Sequence, residues 1–196
     1  KINSEGIFLN GDNKGGLVVV GDLTTKLNNL EKLFDQTTDF LCHNSYIDVS
    51  NEEYFQNSNW MGSAYIPNCW ATVMYYKKSR YAELIFAMWR HVQDNYIYYC
   101  GIYNIPNIPY RNDYALSIAT HMINGQIVHK KFIPWQLNHV PLQAKVITTK
   151  KGLVLTYNKY DAKLEANVDK AFLLSNSNLH FLDKKNFESV ANELLV

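Results

Sequence analysis

Glycine and proline are scarce in this chain, at nine and five of 196 residues. Together they make up about 7%, against roughly 12% in average proteins, which excludes collagen-like and Gly/Pro-rich linker classes. Cysteine is scarcer still. Cys42, Cys69 and Cys100 are far apart, odd in number and without a C-x-x-C pair, which argues against a disulfide framework or a zinc knuckle. No N-x-[ST] sequon occurs. Both facts point to a reducing, cytoplasmic setting. Neither charge sign dominates: Lys+Arg is 19, Asp+Glu is 18, and the net charge is +1. Binding driven by phosphate neutralisation needs a basic excess, so this balance argues against a nucleic-acid partner. No apolar run approaches the ~18 residues of a membrane span. The start, Lys1-Ile-Asn-Ser-Glu-Gly, has no signal-peptide core.

Apolar and aromatic side chains are plentiful instead. Hydrophobic residues are 47%, aromatic ones 14%, and Tyr alone counts 14. That suffices for the core of one domain of this length. Ile7-Phe8-Leu9 is closed by a turn cluster, Asn10-Gly11-Asp12-Asn13. Leu17-Val18-Val19-Val20 reads as a buried strand. Thr24 or Thr25 is placed to cap a helix reaching Phe34, and Asp39–Cys42 reads as the next strand. Residues 43–68 read as a long loop, the kind that often carries function. Ala71–Lys77 is a strand. Ser79 then caps a helix whose Tyr81, Leu84, Ile85, Met88, Trp89 and Val92 form one apolar stripe, best explained as core. Residues 104–109 hold two prolines and read as extended. Asn112 is read as the cap of a helix from Asp113 to Asn124, apolar nearly all round and closed by Gly125. Gln143–Thr149 and Leu153–Tyr157 flank a turn and predict a hairpin. Leu179–Leu182 is a short strand, and Asp183 caps a terminal helix. Strands and helices alternate early, which predicts an α/β fold with a mixed sheet.

Three places put polar groups where packing does not require them. Asn10 and Asp12 sit at i and i+2 of an extended segment, so they converge on one point. An amide oxygen and a carboxylate suit a hard divalent cation, although a plain Asx turn explains the pair as well. In Tyr110-Arg111-Asn112-Asp113, a buried helix opens with a carboxylate, and Arg111 is placed to pair with Asp113 or a substrate anion. The plainer role of Asp113 is a favourable contact with the helix dipole. In His180-Phe181-Leu182-Asp183-Lys184, His180 is a good metal ligand and Lys184 a point-charge phosphate binder. A surface His and a solvated Lys are the simpler explanation. The other histidines show no ligand spacing, and no Walker A, G-x-G-x-x-G or G-x-S-x-G is present.

Taken in order, these pieces resemble the centre of a GT-A-fold glycosyltransferase of the glycogenin-like, nucleotide-sugar-dependent kind. Ile7–Asp12 stands where that family has a strand ending in Asp-x-Asp. Leu17–Leu23 stands where it has a strand closed by Gly-Asp-Leu. Asn68-Cys69-Trp70-Ala71 is similar to its Asn-containing segment leading into a strand. Arg111–Leu116 is similar to its Asp-rich helix start, and His180-Phe181-Leu182-Asp183-Lys184 to its late His-Phe-x-x-x-Lys. The resemblance implies a mixed, mostly parallel sheet flanked by helices. It also implies a single GT-A-like α/β domain over residues 1–196, incomplete on its N-terminal, nucleotide-binding side. It implies a divalent ion, Mn²⁺ or Mg²⁺, held by Asp12 and His180 with Asn10. Lys184 and Arg111 would bind the donor's diphosphate. Asn68, Trp70 and Asn112 would line the sugar and acceptor site, and Asp113 would be the catalytic carboxylate. The expected reaction moves a sugar from a nucleotide-diphosphate donor to an acceptor hydroxyl. A non-catalytic binding or interaction protein of the same shape is the alternative.

Overall fold

The computed structural model describes residues 6–11, 15–20, 25–26, 38–44, 46–48, 60–64, 66–106, 109–127, 132–134, 137–140, 144–161, 163–174, 178–181, 185, 187–188 and 190. The chain divides into two compact units. The first comprises residues 1–23, 31–45 and 55–135; the second comprises residues 24–30, 46–54 and 136–196.

The first unit is built on the eight-residue strand Trp70–Lys77 (β8), rich in aromatic and β-branched side chains. It lies between Gly15–Val20 (β2) and Phe40–His43 (β4), and Gly6–Gly11 (β1) extends the sheet beyond β2. All three pairings are antiparallel. The helix Arg80–Asp94 (α1) starts as expected: the Ser79 hydroxyl accepts the Ala82 N–H at 3.3 Å. Ala82, Ile85 and Val92 are buried on its inner face. Leu84, expected in the same stripe, lies outside at 38% exposure.

A short helix, Tyr96–Ile102 (α2), follows. Its mix of Tyr, Ile, Cys and Gly gave no readable period. The helix Asn112–Ile123 (α3) packs against both α1 and β8. Seven consecutive residues, Ala115 to His121, are buried. The expectation of a helix covered on nearly every side is met. Its cap is a correction: Arg111, not Asn112, occupies the N-cap position, with no side-chain cap bond. Buried His121 is bonded at 2.9 Å to the Tyr103 hydroxyl.

The second unit contains the expected hairpin, Lys145–Thr149 (β10) with Gly152–Asp161 (β11). Ala166–Leu174 (β12) adds a third antiparallel strand that the sequence did not reveal. Its side chains are exposed or half-buried wherever they are described, so no apolar period marks it. Leu153, Leu155 and Tyr157 alternate inward into a core with Val140, Ala144, Leu179, Phe181 and Val190. A second sheet runs Thr25–Lys26 (β3), Leu179–Phe181 (β13), Leu137–Val140 (β9), Tyr46–Asp48 (β5).

The expected α/β fold, a mostly parallel GT-A-like sheet flanked by helices, is overturned. Pairing is mostly antiparallel, and the parallel pairings between named strands are β13 with β9 and β5 with β9. For the β1–β2 pair the physical reason is loop length. Register pairs Gly11 with Gly15, leaving three residues between β1 and β2. A parallel crossover needs about a dozen residues or more, so this connection forces a hairpin. Two local expectations change with it. Thr25 and Lys26 are extended, and the rest of the helix expected through Phe34 lies outside the described residues. The expected loop 43–68 contains β5 and the small ladder Trp60–Met61 (β6) with Ile66–Pro67 (β7). Near the C-terminus, residues 185, 187, 188 and 190 are helical.

Candidate functional site

The N-terminus of α3 meets the start of β8 within the first unit. The meeting follows from a gap in the sheet. Register along β4 and β8 jumps from Cys42↔Met74 to His43↔Trp70, and the pairing of β2 with β8 ends at Val73. Ala71 therefore falls outside both ladders. An unpaired N–H at a 2%-exposed residue needs another acceptor. Asp113 provides it: Oδ1 accepts the Ala71 N–H at 2.7 Å.

Ser117 makes a second tie one turn along α3. Its Oγ accepts the Cys69 N–H at 2.7 Å and donates to the Asp113 carbonyl at 2.6 Å. Thr120 Oγ1 lies 3.5 Å from the Cys69 thiol. Positions 113, 117 and 120 share one helix face, so a polar row binds the 69–71 segment to an otherwise apolar helix.

Burial pushes the Asp113 carboxyl above the usual carboxylate range. The Ala71 N–H and the Arg111 guanidinium oppose that rise without cancelling it. Arg111 is exposed, with its guanidinium carbon 5.8 Å from the centre of the Tyr114 ring. Asn112 is exposed, and its Oδ1 accepts the Tyr110 hydroxyl at 2.9 Å. Asn68 and Trp70 are half-buried on the segment that Asp113 and Ser117 hold. Cys42 and Cys69 share the core beneath this junction, where burial pushes the Cys42 thiol well up.

The junction thus brings together five of the nine residues singled out in the sequence: Asn68, Trp70, Arg111, Asn112 and Asp113. No protein family, curated protein or solved structure matches the chain. The other four residues are placed elsewhere or not described. Asn10 is in β1 of the first unit. Asp12 and Lys184 lie outside the described residues. His180 is in β13 of the second unit, half-buried and paired in register with His139. Among the described residues, no group of three His, Cys, Asp or Glu side chains is arranged to hold a metal ion. Among the same residues, no helix is long and apolar enough to cross a membrane.

Sequence reasoning missed Ser117 and Thr120. Their only signal was spacing from Asp113 along one helix face. His139 shows no ligand spacing in the sequence, because a parallel strand neighbour leaves no mark there.

Proposed function

We propose that this protein is a glycosyltransferase that moves a sugar from a nucleotide-diphosphate donor to an acceptor hydroxyl, with Asp113 as its catalytic carboxylate. The observation that carries the reading is the 2.7 Å bond from the Ala71 N–H to Asp113. It joins two segments, 68–71 and 111–113, that resemble the sugar-binding and acceptor-side motifs of the glycogenin-like enzymes. The reading concerns the chemistry of this junction and requires no particular sheet.

Ala71 engages one carboxylate oxygen, and the other serves the acceptor. Burial raises the proton affinity of Asp113, which suits a base that must take a proton from a hydroxyl near neutral pH. The acceptor oxygen attacks the anomeric carbon as its proton passes to Asp113, and the bond to the nucleoside diphosphate breaks. Trp70 offers an aromatic face to a sugar ring, and Asn68 and Asn112 offer amide groups to its hydroxyls. Arg111, held over Tyr114, presents a cation to the diphosphate. A divalent ion, Mn²⁺ or Mg²⁺, supplies Lewis-acid stabilisation of the leaving group when bound. The three cysteines are free thiols, which supports a reducing, cytoplasmic setting.

The test is a screen of the purified chain with UDP-, GDP- and ADP-sugars in Mn²⁺, following release of the nucleoside diphosphate with water and with oligosaccharide acceptors. Turnover that Asp113→Asn abolishes supports the reading. Release by no donor overturns it. Saturable sugar binding without release assigns the junction to a non-catalytic binding protein.

A further inference from the structure

The second unit contains a pair of imidazoles that the transferase reading does not use together. His139 on β9 and His180 on β13 are register partners on adjacent parallel strands. Their ring centres are 5.6 Å apart, with 36° between the planes. Both side chains are half-buried. The same register continues to Asp48 on β5 and Thr25 on β3.

We propose that His139 and His180 together hold one divalent transition-metal ion. The spacing of the ring centres is compatible with a chelate. A zinc-bound imidazole nitrogen lies about 2.0–2.1 Å from the ion, which puts each ring centre about 3.2 Å from it. Two such centres 5.6 Å apart subtend roughly 120° at a shared ion, close to the tetrahedral and trigonal angles of such sites. Parallel pairing also fixes the relative positions of the two Cα atoms, so little ordering remains to oppose binding. Neutral imidazole favours zinc, copper or nickel over magnesium or calcium. Two protein ligands leave the remaining positions to water.

The probes are Zn²⁺ and Ni²⁺ alone, titrated into the intact chain by calorimetry and by nitrogen NMR of the histidine rings. One equivalent should bind, and the ring signals of His139 and His180 should shift together while those of His91 stay fixed. His139→Gln and His180→Gln should each weaken binding at least tenfold, with circular dichroism and melting temperature showing the fold retained. His91→Gln should bind like the parent. Binding that moves neither ring, or a His180→Gln variant with parental affinity, overturns the proposal. If a variant fails to fold, the NMR titration of the parent decides alone. None of these measurements involves a sugar donor, so failure of the transferase reading leaves the metal site standing, and the converse holds.

Discussion

Asp113 is an acid whose environment opposes its charge. Desolvation is the largest influence on it and favours the protonated form. An aspartate titrates near about pH 3.9 when exposed. With a native value above that, its contribution to stability is fully present below the ordinary range and is lost as pH rises through the raised value. Asp113→Asn keeps an acceptor for the Ala71 N–H and removes the charge. At neutral pH the variant should melt at or slightly above the parent temperature, and the difference should vanish below about pH 4 in a pH series of thermal melts. Under the proposed transferase reading, turnover should fall about 100-fold or more, the usual worth of a general base. In the parent, turnover should decline as acid protonates Asp113. A variant with parental turnover and a lower melting temperature would make Asp113 a structural tie only.

At the scale of elements, α3 and the start of β8 are held by hydrogen bonds rather than by apolar contact alone. Ser117→Ala strands the buried Cys69 N–H. Leaving such a donor unsatisfied costs about 1–3 kcal/mol, to be read from urea denaturation. Ser117→Thr keeps the hydroxyl and should recover part of that loss. Helix α1 tests a different point, the direction in which its stripe faces. Ile85 is fully buried and Leu84 is 38% exposed. Ile85→Ala should cost about 2–5 kcal/mol, and Leu84→Ala less than about 1 kcal/mol. Equal losses would mean that the helix is rotated from the position described. The period of 3.6 marked this helix in the sequence, yet it could not tell the edge of the stripe from its centre. That boundary depends on what packs alongside.

At the scale of the whole molecule, the three thiols report on integrity. Cys42 and Cys69 are 0% exposed and Cys100 is 3% exposed. The native chain should therefore react negligibly with an aromatic disulfide reagent, and three equivalents should react in denaturant. Rapid labelling of any of them in the native chain would show that its core is open.

The sequence by itself determined the elements whose signals are local. Ser79 caps α1 because a hydroxyl three residues before a free N–H can reach it. The α3 helix announced its burial through its composition. The β10–β11 hairpin announced itself through two strands around a short polar turn. The same local evidence pointed to Arg111–Asp113, and the family resemblance pointed to Asn68 and Trp70. Both suggested that these residues matter and left their partners unnamed. Tertiary structure decided the pairings, because hydrogen bonds between strands join residues that are distant in sequence and that carry no mark of each other. That is why a parallel sheet was expected where β1, β2, β8 and β4 run antiparallel. It is also why Ser117 and His139 escaped notice. The β4 register jump leaves Ala71 for Asp113, and parallel pairing sets His139 beside His180. Both follow from register, which only the folded chain has.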